Sequence, residues 1–226
     1  MRAKQELVVI GEGEFAEIAY QYFTHDSSHR VAGFAVETAF LKRRELFGLP
    51  VVAFEEVERH FPPDQCAAFV AITHTQLNRV RTRLYKAAKA QGYRMASYVS
   101  SKAFVWKNVE LGENCFVFEN NVLQYFVEVA NNVVLWSGNH IGHRSVIRDN
   151  CFIASHVVIS GYCEVGESCF LGVNATVADH VKIAQDCVIG AGAYVNKDTE
   201  AGKVYRGTPA AASEAGSLRL FKVKEP

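Results

Sequence analysis

The residues best suited to chemistry in this sequence lie between Trp136 and Gly161. The run Trp136-Ser137-Gly138-Asn139-His140-Ile141-Gly142-His143 is dense in groups that donate, accept or titrate. An imidazole has an ordinary pKa near about 6.5, so an outward-facing histidine can take a proton from an attacking amine or hydroxyl. Gly161 follows His143 by 18 residues. If that spacing is a structural repeat, the base lies beside a glycine whose backbone N–H no side chain covers. A general base next to an open amide donor is the pair that acyl transfer requires, one deprotonating the nucleophile and the other holding the oxyanion. Asn139, just before, is placed to hold the backbone or an acceptor. Gly138, His156, Asn174 and Gly192 share the 18-residue spacing, and a ligand can lie along that small and polar column.

The elements that position these groups follow from periodicity. Every sixth residue from Val99 to Val195 is Val, Ile or Leu, a pattern that neither a helical period nor strand alternation produces. It is a hexapeptide repeat, the signature of a parallel β-helix. Three hexads make one triangular coil, so residues 18 apart stack at about one strand spacing, roughly 4.8 Å. Cys115, Val133, Cys151, Cys169 and Cys187 then form one internal ladder, and His143 falls at a corner with its side chain outward. No insertion interrupts the coils, so a cofactor groove must lie between neighbouring subunits. Phe118, Trp136 and Phe152 are large residues off the core positions, which points to flat apolar flanks and association as a trimer.

Before the repeat the pattern is α/β. Glu6 to Ile10 reads as a buried strand, Gly11-Glu12-Gly13-Glu14-Phe15-Ala16 as a glycine turn, and the following residues to Phe23 as a helix, the first unit of a nucleotide-binding fold. Arg30 to Val36 reads as a second strand ending at Glu37, where such folds place an acid near a ribose. Further strands are expected at 51–53, 66–72 and 93–99, and helices at 54–61 and 77–91. Roughly 95 residues supply one mononucleotide-sized half, which suits a sugar nucleotide better than a dinucleotide. The division is residues 1–98 for a Rossmann-like domain, 99–200 for the β-helix and 201–226 for a closing segment.

Composition bounds the rest. With 24 basic and 24 acidic residues spread evenly along 226, there is no electrostatic case for nucleic acid or an anionic membrane. No apolar run approaches the roughly 18 residues of a membrane span, and Met-Arg-Ala-Lys-Gln-Glu leads directly into the first strand, so the expected location is cytoplasmic. Five of the six cysteines fall on inward positions and none forms a CxxC pair, which reads as small core residues in a reducing compartment. His140, His143, His156 and His180 occupy different places in their hexads and do not converge obviously, so no metal is expected.

On these residues the chain resembles the sialic acid O-acetyltransferase-like family of bacterial sugar acyltransferases, which includes N-acetyltransferases of nucleotide-linked amino sugars. The resemblance covers nearly the whole length. It implies a left-handed β-helix, a homotrimer and acetyl-CoA as donor. It implies His143 as general base, in an I-x-H-x-x-V-I setting matched by Ile141 to Ile147, with the Gly161 amide facing the thioester carbonyl. Phe152, Val173 and Ala191 match positions lining the cofactor groove. Gly207-Thr208-Pro209-Ala210 looks like the segment closing over the CoA end, and Gly13, Glu14, Phe15 and Glu37 match positions holding the sugar nucleotide, beside Gly11 of the turn. Some members carry a glutamate directly after the histidine. Here that residue is Arg144, which leaves the orienting partner of His143 open. The expected reaction is N-acetylation of a nucleotide-linked amino sugar; the alternatives are O-acetylation of a sugar or sialic acid, a nonenzymatic scaffold, and zinc-dependent hydration.

Overall fold

The computed structural model describes residues 5–223. Residues 1–4, part of the run expected to lead into the first strand, and 224–226 of the closing segment lie outside the described residues. The chain opens with β1 (Gln5–Ile10), α1 (Glu14–His25), β2 (His29–Val36), β3 (Glu45–Leu46), β4 (Leu49–Ala53), α2 (Val57–His60), β5 (Cys66–Val70) and α3 (Arg79–Ala90). The sheet order is β3-β4-β2-β1-β5, all parallel except the antiparallel β3–β4 pair. β1 and β5 are apolar on both faces because both are covered, by α1 on one side and α3 on the other. The helix expected over 54–61 is a 3-10 turn, Phe54–Glu56, followed by the single turn of α2. No strand spans 93–99. Met95 makes one bridge to Ala68, and Tyr98–Val99 is already the first rung of the repeat, in register with Phe116–Val117.

From Tyr98 the chain coils through two-residue rungs that stack in parallel into three faces. The second residue of each rung points inward, and from Val117 to Val195 these Val, Leu and Ile side chains are no more than 6 % exposed. Each such burial contributes about 1.5–3 kcal/mol, which is how two-residue strands persist. The inward cysteines are buried and free, and they do more than fill space. The thiols of Cys115, Cys151, Cys163, Cys169 and Cys187 each donate to a carbonyl of the next coil at 3.0–3.1 Å, and Ser145 at the same kind of position donates to Ser160 at 2.8 Å. Burial pushes the Cys66 and Cys115 thiols up to about 11 and about 12, so neither is a nucleophile near neutral pH.

The first face, with Phe116, Val134, Phe152 and Phe170 pointing out, is covered by the N-terminal domain. Phe15 of α1 packs on Phe116, Phe118 and Trp136, with ring centroids 5.4, 6.3 and 5.7 Å away, and Phe23 packs on Tyr98 and Phe116. The aromatic flank expected to bind other subunits is thus an internal seam: Phe118 is 3 % and Phe152 5 % exposed. The second face points Phe104, Val122, His140, Val158, Thr176 and Tyr194 outward and stays open, with Phe104 52 % and Tyr194 66 % exposed. The third is charged, with Glu110, Glu128, Glu164 and Lys182.

Candidate active site

A triangular prism has one corner opposite each face, and His143 stands on the corner between the open and charged faces. That corner is the one farthest from the N-terminal domain. The ring of His143 is sandwiched along the stack. Below it lies Tyr125, ring centroids 5.3 Å apart and 22° from parallel; above it lies Gly161. A Cβ at Gly161 would stand 2.7 Å from His143 Cε1 and 3.0 Å from Nε2, so only glycine leaves room for the imidazole. Tyr162 meets the ring edge-on at 5.2 Å. Gly142 is equally constrained, because a Cβ there would sit 2.4 Å from the Ser160 carbonyl carbon.

At this corner one expectation is corrected and one open point is filled. The Gly161 N–H is not open: it donates to Asp179 Oδ1 at 2.8 Å. The reason is the turn geometry, which leaves an amide unpaired and fills it with a side chain one coil on; Asn131 caps Glu113 and Asp149 caps Asn131 in the same way. Arg144, in the left-handed region at φ 57°, turns away from the imidazole and lies over the Phe126 ring at 4.5 Å. The nearest polar partner of His143 is instead Gln124, whose Oε1 lies 2.9 Å from the His143 backbone nitrogen and 3.2 Å from Nδ1. Sequence spacing missed Gln124 because it is 19 residues back, one off the vertical ruler.

Other predicted residues divide sharply. Asn139 is 1 % exposed; it donates to the Trp136 carbonyl and accepts from Val157 N–H, so it caps a turn inside the prism and cannot touch an acceptor. Phe152 is sealed under the N-terminal domain against His74 and Phe170, so it cannot line a cofactor groove. Val173 is 44 % exposed, and Ala191 and Pro209 are exposed as well. Gly207 lies against the Ala191 carbonyl, where a Cβ would come within 2.0 Å.

In the N-terminal domain a cavity of about 210 Å³ is lined by Gly11, Glu12, Gly13, Glu37 and Phe40 among apolar neighbours. Gly11 has φ +132° and backs onto the Ala71 carbonyl, while nothing stands within 4 Å of a Cβ at Gly13. Glu14 is exposed on the first turn of α1. Phe15 is 4 % exposed, which corrects its side chain from ligand contact to core and leaves only its backbone facing the turn. Both oxygens of Glu37 are held by Arg83, at 2.7 and 2.9 Å. Arg43, which no sequence pattern marks, closes the turn by donating to the Glu12 carbonyl at 3.0 Å. Among the described residues no group of three or more His, Cys, Asp or Glu is placed to hold a metal, and no helix is long and apolar enough to cross a membrane.

The comparisons with known proteins agree with this build. The family described as bacterial transferase hexapeptide (six repeats) matches residues 162–197. Solved structures match over nearly the whole chain. A variant of perosamine N-acetyltransferase from Caulobacter crescentus, in complex with CoA and GDP-perosamine, is 25 % identical with TM-score 0.81, over 93 % of this chain and 97 % of that one. The acetyltransferase domain of PglB from Neisseria gonorrhoeae FA1090 is 21 % identical with TM-score 0.80, over 92 % and 98 %. WeeI from Acinetobacter baumannii AYE is 22 % identical with TM-score 0.60, over 92 % and 99 %. No curated protein sequence matches significantly. The repeat is that of the left-handed parallel β-helix, and the chain has the architecture of the hexapeptide acyltransferases.

Proposed function

We propose that this protein transfers the acetyl group of acetyl-CoA to the amino group of a nucleotide-linked amino sugar, with His143 as general base. It is an acetyl-CoA-dependent sugar acetyltransferase by repeat and by structural likeness, the Caulobacter relative being complexed with CoA and a nucleotide amino sugar. The observation that carries the finer reading is the clamped imidazole of His143 on an exposed corner, between Tyr125 and Gly161. As the amine attacks the thioester carbonyl, His143 Nε2 accepts its proton and returns it to the departing thiolate. The Gly161 amide serves the carbonyl oxygen only by exchanging Asp179 for it.

The N-terminal domain, Rossmann-like in its parallel order, supplies the nucleotide site: the Gly11–Gly13 turn and the α1 N-terminus for phosphate, with the cavity at Glu37 beside it. That domain covers the face opposite His143, so a nucleotide bound there reaches a His143 only on another copy. A homotrimer packed through the open apolar face meets this requirement, with CoA along Val173, Ala191, Gly207 and Pro209 of a neighbour. The test is acetyl transfer from acetyl-CoA to a panel of nucleotide amino sugars. His143→Asn is expected to lower turnover by about 10²–10⁴ while leaving the melting temperature in place. Activity within about tenfold of the parent removes the assignment, and a product ester lost in mild alkali moves the reading to O-acetylation.

A further inference from the structure

We propose that Gln124 is a positioning residue that fixes the tautomer and rotation of His143, standing in for the absent carboxylate partner with an uncharged acceptor. The proposal rests on the reading of His143 as the base. The argument starts from the two contacts of one oxygen. Gln124 Oε1 is 2.9 Å from the backbone nitrogen of His143 and 3.2 Å from its Nδ1. A backbone N–H can only donate, so the end of the Gln124 amide facing it must be the oxygen. That oxygen can only accept, so Nδ1 must carry the proton. The lone pair is then left on Nε2, the nitrogen a base needs free.

The rest of the corner supports this division of labour. Tyr125 and Gly161 hold the ring from below and above, which leaves rotation in the ring plane and the choice of tautomer as the freedoms still to be fixed. Gln124 fixes both. The charged and titratable groups facing the ring are Tyr125 and Tyr162, with Asp179 engaged by the Gly161 amide, His180 stacked on Tyr162 at 4.9 Å, and Arg144 turned onto Phe126. None of them offers Nδ1 a hydrogen-bond acceptor. A carboxylate in the place of Gln124 would stabilise the imidazolium and keep more of the base protonated at neutral pH. The amide orients without that cost.

The experiment combines a spectrum with pH profiles, on the full chain. Two-bond ¹H–¹⁵N spectra of the protein, with His143→Asn identifying the His143 signals, are expected to show the Nδ1–H form. Gln124→Leu is expected to return the ring to the mixture in which Nε2–H predominates, and to lower kcat by about tenfold with KM for acetyl-CoA within about twofold. Gln124→Glu, nearly the same shape, is expected to keep activity at high pH while moving the acidic limb of the rate profile up by about one pH unit. An Nε2–H signal in the parent protein overturns the proposal, as do unchanged kcat and pH profile in both variants. The two readings fail separately: activity persisting in His143→Asn removes the base, whereas the tautomer spectrum judges Gln124 on its own.

Discussion

Two corners of the same prism use the same turn for opposite ends. At the corner under α3 the left-handed positions are Asn114, Asn132, Asn150, Ser168 and Asp186, and all but Ser168 are of types that adopt positive φ readily. Asn114 donates to Asn132 at 2.8 Å, Asn132 to Asn150 at 2.7 Å, and Asn150 to Glu167 at 2.9 Å. Arg81 of α3, fully buried, crosses this seam to donate to the carbonyls of Thr73, Asn132, Asn150 and Cys151. At the His143 corner the equivalent positions are Phe126, Arg144, Tyr162 and His180. Bulky side chains in that conformation cost about 1–2 kcal/mol each. One corner spends its side chains on joining two domains; the other accepts conformational cost to present rings, the His143 imidazole among them, to solvent.

The largest effect should come from unpinning the covered corner. Arg81→Met leaves several buried carbonyls without a donor and is expected to cost about 3 kcal/mol, on the order of 10 °C in melting temperature, by calorimetry. At the exposed corner Asp179→Ala should be nearly silent in stability, yet free the Gly161 amide. If that amide takes the thioester oxygen, KM for acetyl-CoA falls about threefold, a change of roughly 0.6 kcal/mol; an unchanged KM shows the carboxylate to be a turn cap alone. Tyr162→Asn places a residue tolerant of positive φ at φ 56° and is expected to raise stability by about 0.5–1 kcal/mol, while activity drops with the lost edge contact to His143. Acid should act last and mostly at the seam. Tyr98 and Ser101 donors hold Asp26 below the usual carboxylate range; for Glu119, burial is outweighed by Ser137 and Tyr22, and for Glu113 by Lys89 and Tyr85. A carboxylate lowered on folding stabilises above its unfolded pKa, near about 4, and that contribution is lost as pH falls through the lowered value. Melting temperature should therefore be flat from pH 8 to about 6 and decline below about 4, with Trp136 emission at the seam shifting first.

The contrast also explains what the sequence disclosed. The 18-residue ruler placed the cysteine ladder, the outward His143 and its neighbour Gly161, because vertical stacking depends on backbone period alone. It could not show that Asp179 caps Gly161, since whether a side chain turns down onto the coil beneath is a matter of rotamer. Nor could it show which face α1 covers. Phe15 and Phe152 read as ligand contacts, and Phe118, Trp136 and Phe152 as a subunit interface, until the two domains are brought together, and the match of aromatic shapes that joins them has no period.

The closing segment has a consequence beyond the site. A stack of parallel rungs ends in unpaired strand edges, and an unpaired edge is a template for the next prism and hence for a fibre. Here Val204–Tyr205 lies over Val188–Ile189 as a final rung, Asp198 takes the Lys182 N–H at 2.8 Å, and Thr199 donates to the Lys182 carbonyl at 3.0 Å. After Tyr205 the chain leaves the stack, with Gly207 pressed on the Ala191 carbonyl. Each face therefore ends in a rung of only two residues, the shortest edge that a repeat with no intrinsic length can offer to another prism.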